Sequence, residues 1–154
     1  MAEAADVFYK IVRHGDKAKM TFRGLPKTDE EFDAFLAHLT RLYEPKTQFT
    51  MMFDTAGLGA MSLNQKRKFA KGMAKWIDDN ADKARAYLTK SAIILRSTFM
   101  RAFLKMVFAI RRPASPNQVC SSIPEALKYL GWTEELKHVQ HLMAKKRAAA
   151  QSKK

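Results

Sequence analysis

Short apolar runs in TQFTMMFDTAGLG, SAIILRS and NQVCSS are separated from one another by stretches of helical periodicity, and this alternation constrains the fold more than any other feature of the chain. Parallel neighbours in a sheet need a long crossover, usually a helix, so strands and helices taken in turn imply a mostly parallel sheet covered by helices. The chain opens differently: FYKIVRHGDKAKMTFRG has two alternating runs around a turn-rich HGDK and reads as a β-hairpin.

The helices carry their own punctuation. Thr28 with Glu31 three residues on has the spacing of a capping box, and Phe32, Phe35, Leu36, Leu39, Leu42 and Tyr43 then fall on one face. Ser62 with Gln65 repeats the pattern ahead of a helix that turns Phe69, Met73, Trp76 and Ile77 inward. Ser122 and Glu125 bracket another start, and Gly131 supplies its C-cap. Thr133 is expected to cap a last helix running into a basic tail. The expected order is ββαβαβαβα plus that terminal helix.

At 154 residues the chain can bury one sizeable core, so a single domain is expected. We place a disordered N-terminus at 1–6, the α/β domain at 7–131, and a basic C-terminal helix and tail at 132–154. The start lacks the pattern of a secretory leader, and the one cysteine, Cys120, forms no internal disulfide and fits a reducing compartment. The expectation is therefore a soluble, cytoplasmic protein.

Net charge is +13 and unevenly placed. Residues 1–62 hold eight Lys or Arg against nine Asp or Glu, so the rest of the chain carries the whole excess. From 83 to 124 there is no acid, while Arg96, Arg101, Lys105, Arg111 and Arg112 are among the cations; Lys145, Lys146 and Arg147 add more near the end. Such a field favours an acidic partner. These eight residues are the candidate partner- or anion-binding set.

Residues 96–113, RSTFMRAFLKMVFAIRRP, are strongly apolar but are interrupted by Arg101 and Lys105, too early for a transmembrane span. Read as a helix ended by Pro113, the segment shows one stripe of Phe99, Phe103, Met106, Val107 and Ile110. A second stripe is Met100, Leu104 and Phe108, leaving Arg101, Ala102, Lys105 and Ala109 outside. That apolar arc is wider than packing on one sheet requires. Two readings stay open: the second stripe is covered by the chain's own last helix, or it is an apolar ligand or partner surface.

The order of elements, with FTMMFDTAGLG as a central strand, YLTKSAIILRSTFMRAFLKMVF as strand plus helix and SSIPEALKYLG as the closing helix, resembles the SpoIIAA-like group of the STAS/SEC14 superfamily, and more distantly the lipid-binding lobe of CRAL-TRIO proteins. The resemblance spans roughly residues 7–131. It implies either a protein-binding module switched by phosphorylation at the start of the second helix, or a lipid cavity gated by the 99–110 helix. Ser62 stands at the phosphorylation position, where the aspartate that precedes the family's serine is replaced by Met61.

No catalytic signature accompanies the fold. GLGAMS lacks the lysine of a phosphate loop, and Cys120 has no motif around it. His138 and His141 stand one turn apart without a third ligand nearby, so no metal and no cofactor are expected. The sequence thus reads as a non-enzymatic STAS/SEC14-like assembly module that docks on an acidic partner through its basic C-terminal half. The alternatives are a lipid-binding or anionic membrane-surface module using the 99–110 helix, and a nucleic-acid-binding protein.

Overall fold

Gly15 sets the first pairing. β1 (Tyr9–His14) and β2 (Lys17–Phe22) run antiparallel with His14 opposite Lys17, so Gly15 and Asp16 alone make the loop. Of the two, only Gly15 takes a positive φ, 61°, the pattern of a type II′ turn whose twist suits a hairpin. The computed structural model describes residues 8–152, so the expectations for residues 1–6 and for the last two lysines lie outside the described residues.

Both expected capping boxes form. Thr28 opens α1 (Asp29–Arg41), accepting from the Glu31 N–H, and Glu31 accepts in return from the Thr28 backbone. The strand β3 (Phe49–Asp54) follows, and Ser62 with Gln65 then closes the reciprocal pair at the head of α2 (Leu63–Asp79). The stretch between α2 and the next strand folds into a short helix, α3 (Ala81–Tyr87), because Ala81 and Ala84 can bury a small apolar face. The next strand, β4 (Leu88–Ile94), begins three residues earlier than its most apolar run suggests, since Leu88 pairs with Phe49 and the Thr89 hydroxyl donates to the Phe49 carbonyl.

Ser97 caps α4 (Thr98–Ile110), after which β5 (Asn117–Cys120) and α5 (Ile123–Leu130) complete the alternation. Gly131 ends α5 in the left-handed region, φ 75°, as a C-cap glycine should. The last helix, α6 (Thr133–Ser152), corrects one expectation: Thr133 is its first residue, and the Leu136 N–H donates to the carbonyl of Trp132. It also stays helical through the alanine- and lysine-rich end, where a tail was expected, because those residues are strong helix formers.

The five strands form one mixed sheet in the order β1-β2-β3-β4-β5, with β2/β3, β3/β4 and β4/β5 parallel. Strands added one after another by right-handed crossovers place every crossover helix on the same face. Alternate residues of β3 and β4 bear this out. Phe53, Ser91 and Ile93 face the side of α1, α2 and α4, whereas Met52, Ala92 and Ile94 meet α5 and the start of α6.

The first face buries Phe35 and Leu39 of α1 against Ala18, Met20, Phe49 and Met51. Each large apolar side chain so buried stabilises the fold by roughly 1.5–3 kcal/mol. On the second face, the Trp132 indole donates to Thr50 Oγ1 at 2.8 Å and Lys17 pairs with Glu135 at 2.9 Å, which pins the start of α6 to the sheet. That pairing holds the Glu135 carboxyl below its usual range, chiefly through the hydrogen bond from Lys17.

Gly57, in the loop after β3, lies so close to β2 that a Cβ there would sit 1.9 Å from the Phe22 carbonyl oxygen, whereas one on Gly59 would meet nothing. Gly57→Ala is expected to lower stability by about 1–3 kcal/mol because backbone must move to admit it. Gly59→Ala should leave stability unchanged or raise it by up to about 1 kcal/mol. Urea midpoints of the two variants check this, and equal midpoints would refute the close approach.

Candidate functional site

The helices on the first face are not equally attached to it. On α2, the small buried residues Ala70 and Ala74 form a trough that takes Val107 of α4, with Phe103, Met106 and Phe108 packed around it. Gly72 gives α2 its contact with α1, since a Cβ there would lie 2.5 Å from the Phe32 ring. The Trp76 indole reinforces that contact by donating to Thr40 Oγ1 at 2.9 Å. Helix α2 is therefore the bridge, and α4 hangs on it. Further ties of α4 also run to α2: Arg111 Nε to Asp78 Oδ1 at 3.1 Å, and the Lys66 ammonium 4.3 Å from the centre of the Phe99 ring.

Between this helix pair and the sheet lies a half-enclosed cavity of about 160 Å³. Its floor is Met20, Phe53 and Ile93, its roof Met73, Phe103 and Leu104, and Leu58 and Met61 from the loop before α2 close one end. No charged residue lines it, and nearly all of its surface is apolar. The loop is held by the Thr55 hydroxyl, which donates to the Ile94 carbonyl at 2.6 Å, and by Asp54 Oδ1, which accepts from the Ala56 N–H. The methionines suit such a wall because their unbranched thioethers adapt to irregular space.

The stripe of Met100, Leu104 and Phe108 faces this cavity. Met100 is buried, Leu104 and Phe108 are half-buried, and all three belong to the lining. Helix α6 does not cover them: it packs on α5 at the opposite face of the sheet, where the chain must go once β5 ends the run of same-sided crossovers. On α4 the exposed sector is Arg101, Ala102, Lys105 and Ala109, the sector its periodicity leaves over. Ile110, counted in the first stripe, is 56% exposed, because the helix ends there and leaves it beyond α2.

The basic residues separate into two groups. Arg96, Arg101, Lys105 and Arg112 are exposed on the α4 side, and Arg111 is half-buried by its pair with Asp78. Lys145, Lys146 and Arg147 are exposed on α6, on the other face. They do not form one surface. Every described residue of α6 from Gln140 onward is exposed, including Leu142 and Met143.

Ser62 is exposed, and its hydroxyl caps α2. Burial, with the Glu125 carboxylate second, pushes the Cys120 thiol up, away from the reactive thiolate. His138 and His141 are exposed on α6. No helix among the described residues is long and apolar enough to cross a membrane.

No family model matches the chain, and no curated protein matches it either. The STAS/SEC14 resemblance accordingly rests on the residues and element order that suggest it.

The space beneath α4 should accept volume that the neighbouring trough rejects. Leu104→Phe, directed into the cavity, is expected to change stability by less than about 1 kcal/mol, whereas Val107→Phe, directed into the Ala70 and Ala74 trough, should cost about 1–3 kcal/mol. Chemical denaturation of both variants tests this; equal losses would rule the cavity out.

Proposed function

We propose that this chain is a non-enzymatic STAS/SEC14-like binding module that takes a small apolar molecule into the cavity between its sheet and α4. The observation that supports this is the cavity itself. A half-enclosed apolar space of about 160 Å³ leaves the side chains of its wall without packing partners on one side. A ligand that fills it returns those contacts. An engineered cavity of about 150 Å³ with aliphatic and aromatic walls stays dry and binds benzene, so the size suits one ring or a short chain. The position under α4 is also the one in which the resembled lipid-binding lobe keeps its ligand.

The neutral single-ring fluorophore 4-(dimethylamino)benzonitrile, whose emission responds to the polarity around it, reads such a site directly. Its emission is expected to rise with saturation at one equivalent, and Leu104→Trp, which fills the space, should weaken binding at least about tenfold while the circular dichroism is kept, a loss of ~1.4 kcal/mol. Enhancement that never saturates, or that Leu104→Trp leaves unchanged, would defeat the reading.

The second reading is docking of an acidic protein surface on the basic C-terminal half. It is favoured by α6, whose exposed end carries Lys145, Lys146 and Arg147 with no ion pair to any described residue. Arg112 and the exposed α4 cations add a second patch on the other face, whereas Arg111 is already engaged by Asp78. Polyglutamate is expected to bind at low salt and to lose about tenfold in affinity when Lys145, Lys146 and Arg147 are all replaced by alanine. Binding of duplex DNA or of anionic phospholipid vesicles with no binding of polyglutamate would transfer the site to nucleic acid or to a membrane surface.

A further inference from the structure

The cavity wall is apolar nearly everywhere, yet five side chains in it, Tyr43, Thr55, Asn80, Ser91 and Ser115, are polar and more than nine-tenths buried. Thr55 and Ser91 have side-chain hydrogen bonds of their own, which leaves Tyr43, Asn80 and Ser115. They gather toward the N-terminal ends of the parallel strands. The Tyr43 ring lies 5.7 Å from that of Phe49, the first residue of β3, and Phe49 pairs with Leu88, the first residue of β4. Asn80 precedes α3, which delivers the chain to Leu88. Ser115 lies just before β5, where the Ser91 N–H donates to the Pro116 carbonyl at 3.0 Å and the Asn117 amide donates to Ser91 Oγ at 2.9 Å. At the opposite end the one polar side chain, Thr55, has its hydroxyl engaged by the Ile94 carbonyl.

These three retain unused hydrogen-bonding capacity. The hydroxyls of Tyr43 and Ser115 make no hydrogen bond to a described side chain or backbone group. Asn80 commits its Nδ2 to the Trp76 carbonyl at 2.9 Å and leaves Oδ1 without a donor among the described residues. No polar side-chain atom in the described residues is both sealed from open space and unpartnered, so these free groups border space rather than packed hydrocarbon. Polar groups that reach open space at one end of an apolar cavity are satisfied by water or by a complementary group on whatever displaces it. The group must be neutral. No Lys, Arg, His, Asp or Glu lines the cavity, and an ion there would lose its hydration without a counter-charge. Burial pushes the Tyr43 hydroxyl up to about 12, so it stays protonated and able to donate.

We infer that the cavity selects an uncharged, mostly apolar molecule of single-ring or short-chain size that carries one hydroxyl, with the hydroxyl held at the Tyr43, Asn80 and Ser115 end and the hydrocarbon against α4. A hydroxyl fits because it both donates and accepts, as the free Asn80 oxygen and the two free hydroxyls together require. The inference rests on the cavity-binding reading and adds the polarity of the ligand to it.

Calorimetric titration of the full chain with propylbenzene, 4-propylphenol and 4-propylbenzoate separates the two. The phenol is expected to bind, the carboxylate to bind at least about tenfold more weakly than the phenol. In both Ser115→Ala and Tyr43→Phe, the phenol's affinity relative to propylbenzene should fall about fivefold, with propylbenzene itself unchanged as the measure of an intact cavity. A phenol-to-propylbenzene ratio that neither substitution alters, or a carboxylate that binds as well as the phenol, overturns the inference while leaving the cavity reading in place. Absence of binding by all three compounds overturns both.

Discussion

Right-handedness of the crossovers is the constraint on which the rest of this molecule depends. With β2 to β5 laid down in sequential order, every helix that links two of them must land on one face, and only the helices after β5 are free to reach the other. A long helix, a helix pair and a third long helix then compete for the same sheet surface. The chain resolves the competition by stacking α4 on α2 through Ala70, Ala74 and Val107, rather than seating it directly on the strands. The cavity is the space that this compromise leaves between the second layer and the sheet.

Much of this architecture is legible in the sequence, and what is not has identifiable physical causes. The hairpin, both capping boxes, the glycine C-cap and the exposed sector of α4 all follow from local spacing, because each is decided within a few residues of chain. Helix α3 is not legible because two buried alanines are too weak a signal beside the charged residues around them. The strand start at Leu88 depends on a pairing with Phe49 that no local pattern records. The cavity is the least legible of all. Its wall is built from positions that read as ordinary core in every element, and the width of the apolar arc on α4 was the one local hint that something besides the sheet was to be satisfied. The polar end was equally hidden, since Tyr43, Asn80 and Ser115 are far apart in sequence and each stands beside a turn, where polar residues are expected anyway.

The electrostatic layout separates inside from outside with unusual strictness. A chain of net charge +13 keeps every described cation out of the lining of this cavity, and its two basic groups lie on opposite sides of the sheet. Whatever enters the cavity is therefore chosen by shape and hydrogen bonding, while long-range attraction acts on whatever meets the surface. The two selections are made by different residues and can vary independently. A positive composition alone would have led to a single extended anion-binding face, which the opposed placement of α4 and α6 does not provide.

The way α4 is attached also sets how the molecule breathes. Sheet and α1 share one set of interlocked side chains, and α5 with the start of α6 shares another, so disturbing either means exposing fully enclosed groups. Helix α4 is joined to the body through one small-residue trough, one solvent-accessible ion pair and one ammonium resting on an aromatic ring. Among the helices packed over the first face of the sheet, backbone amides along α4 therefore belong to the unit expected to open at the smallest free-energy cost, and those of β3 and β4 to the one that opens last. Movement of this single helix against its neighbour would open the cavity at no expense to the hydrogen-bonded ladder beneath.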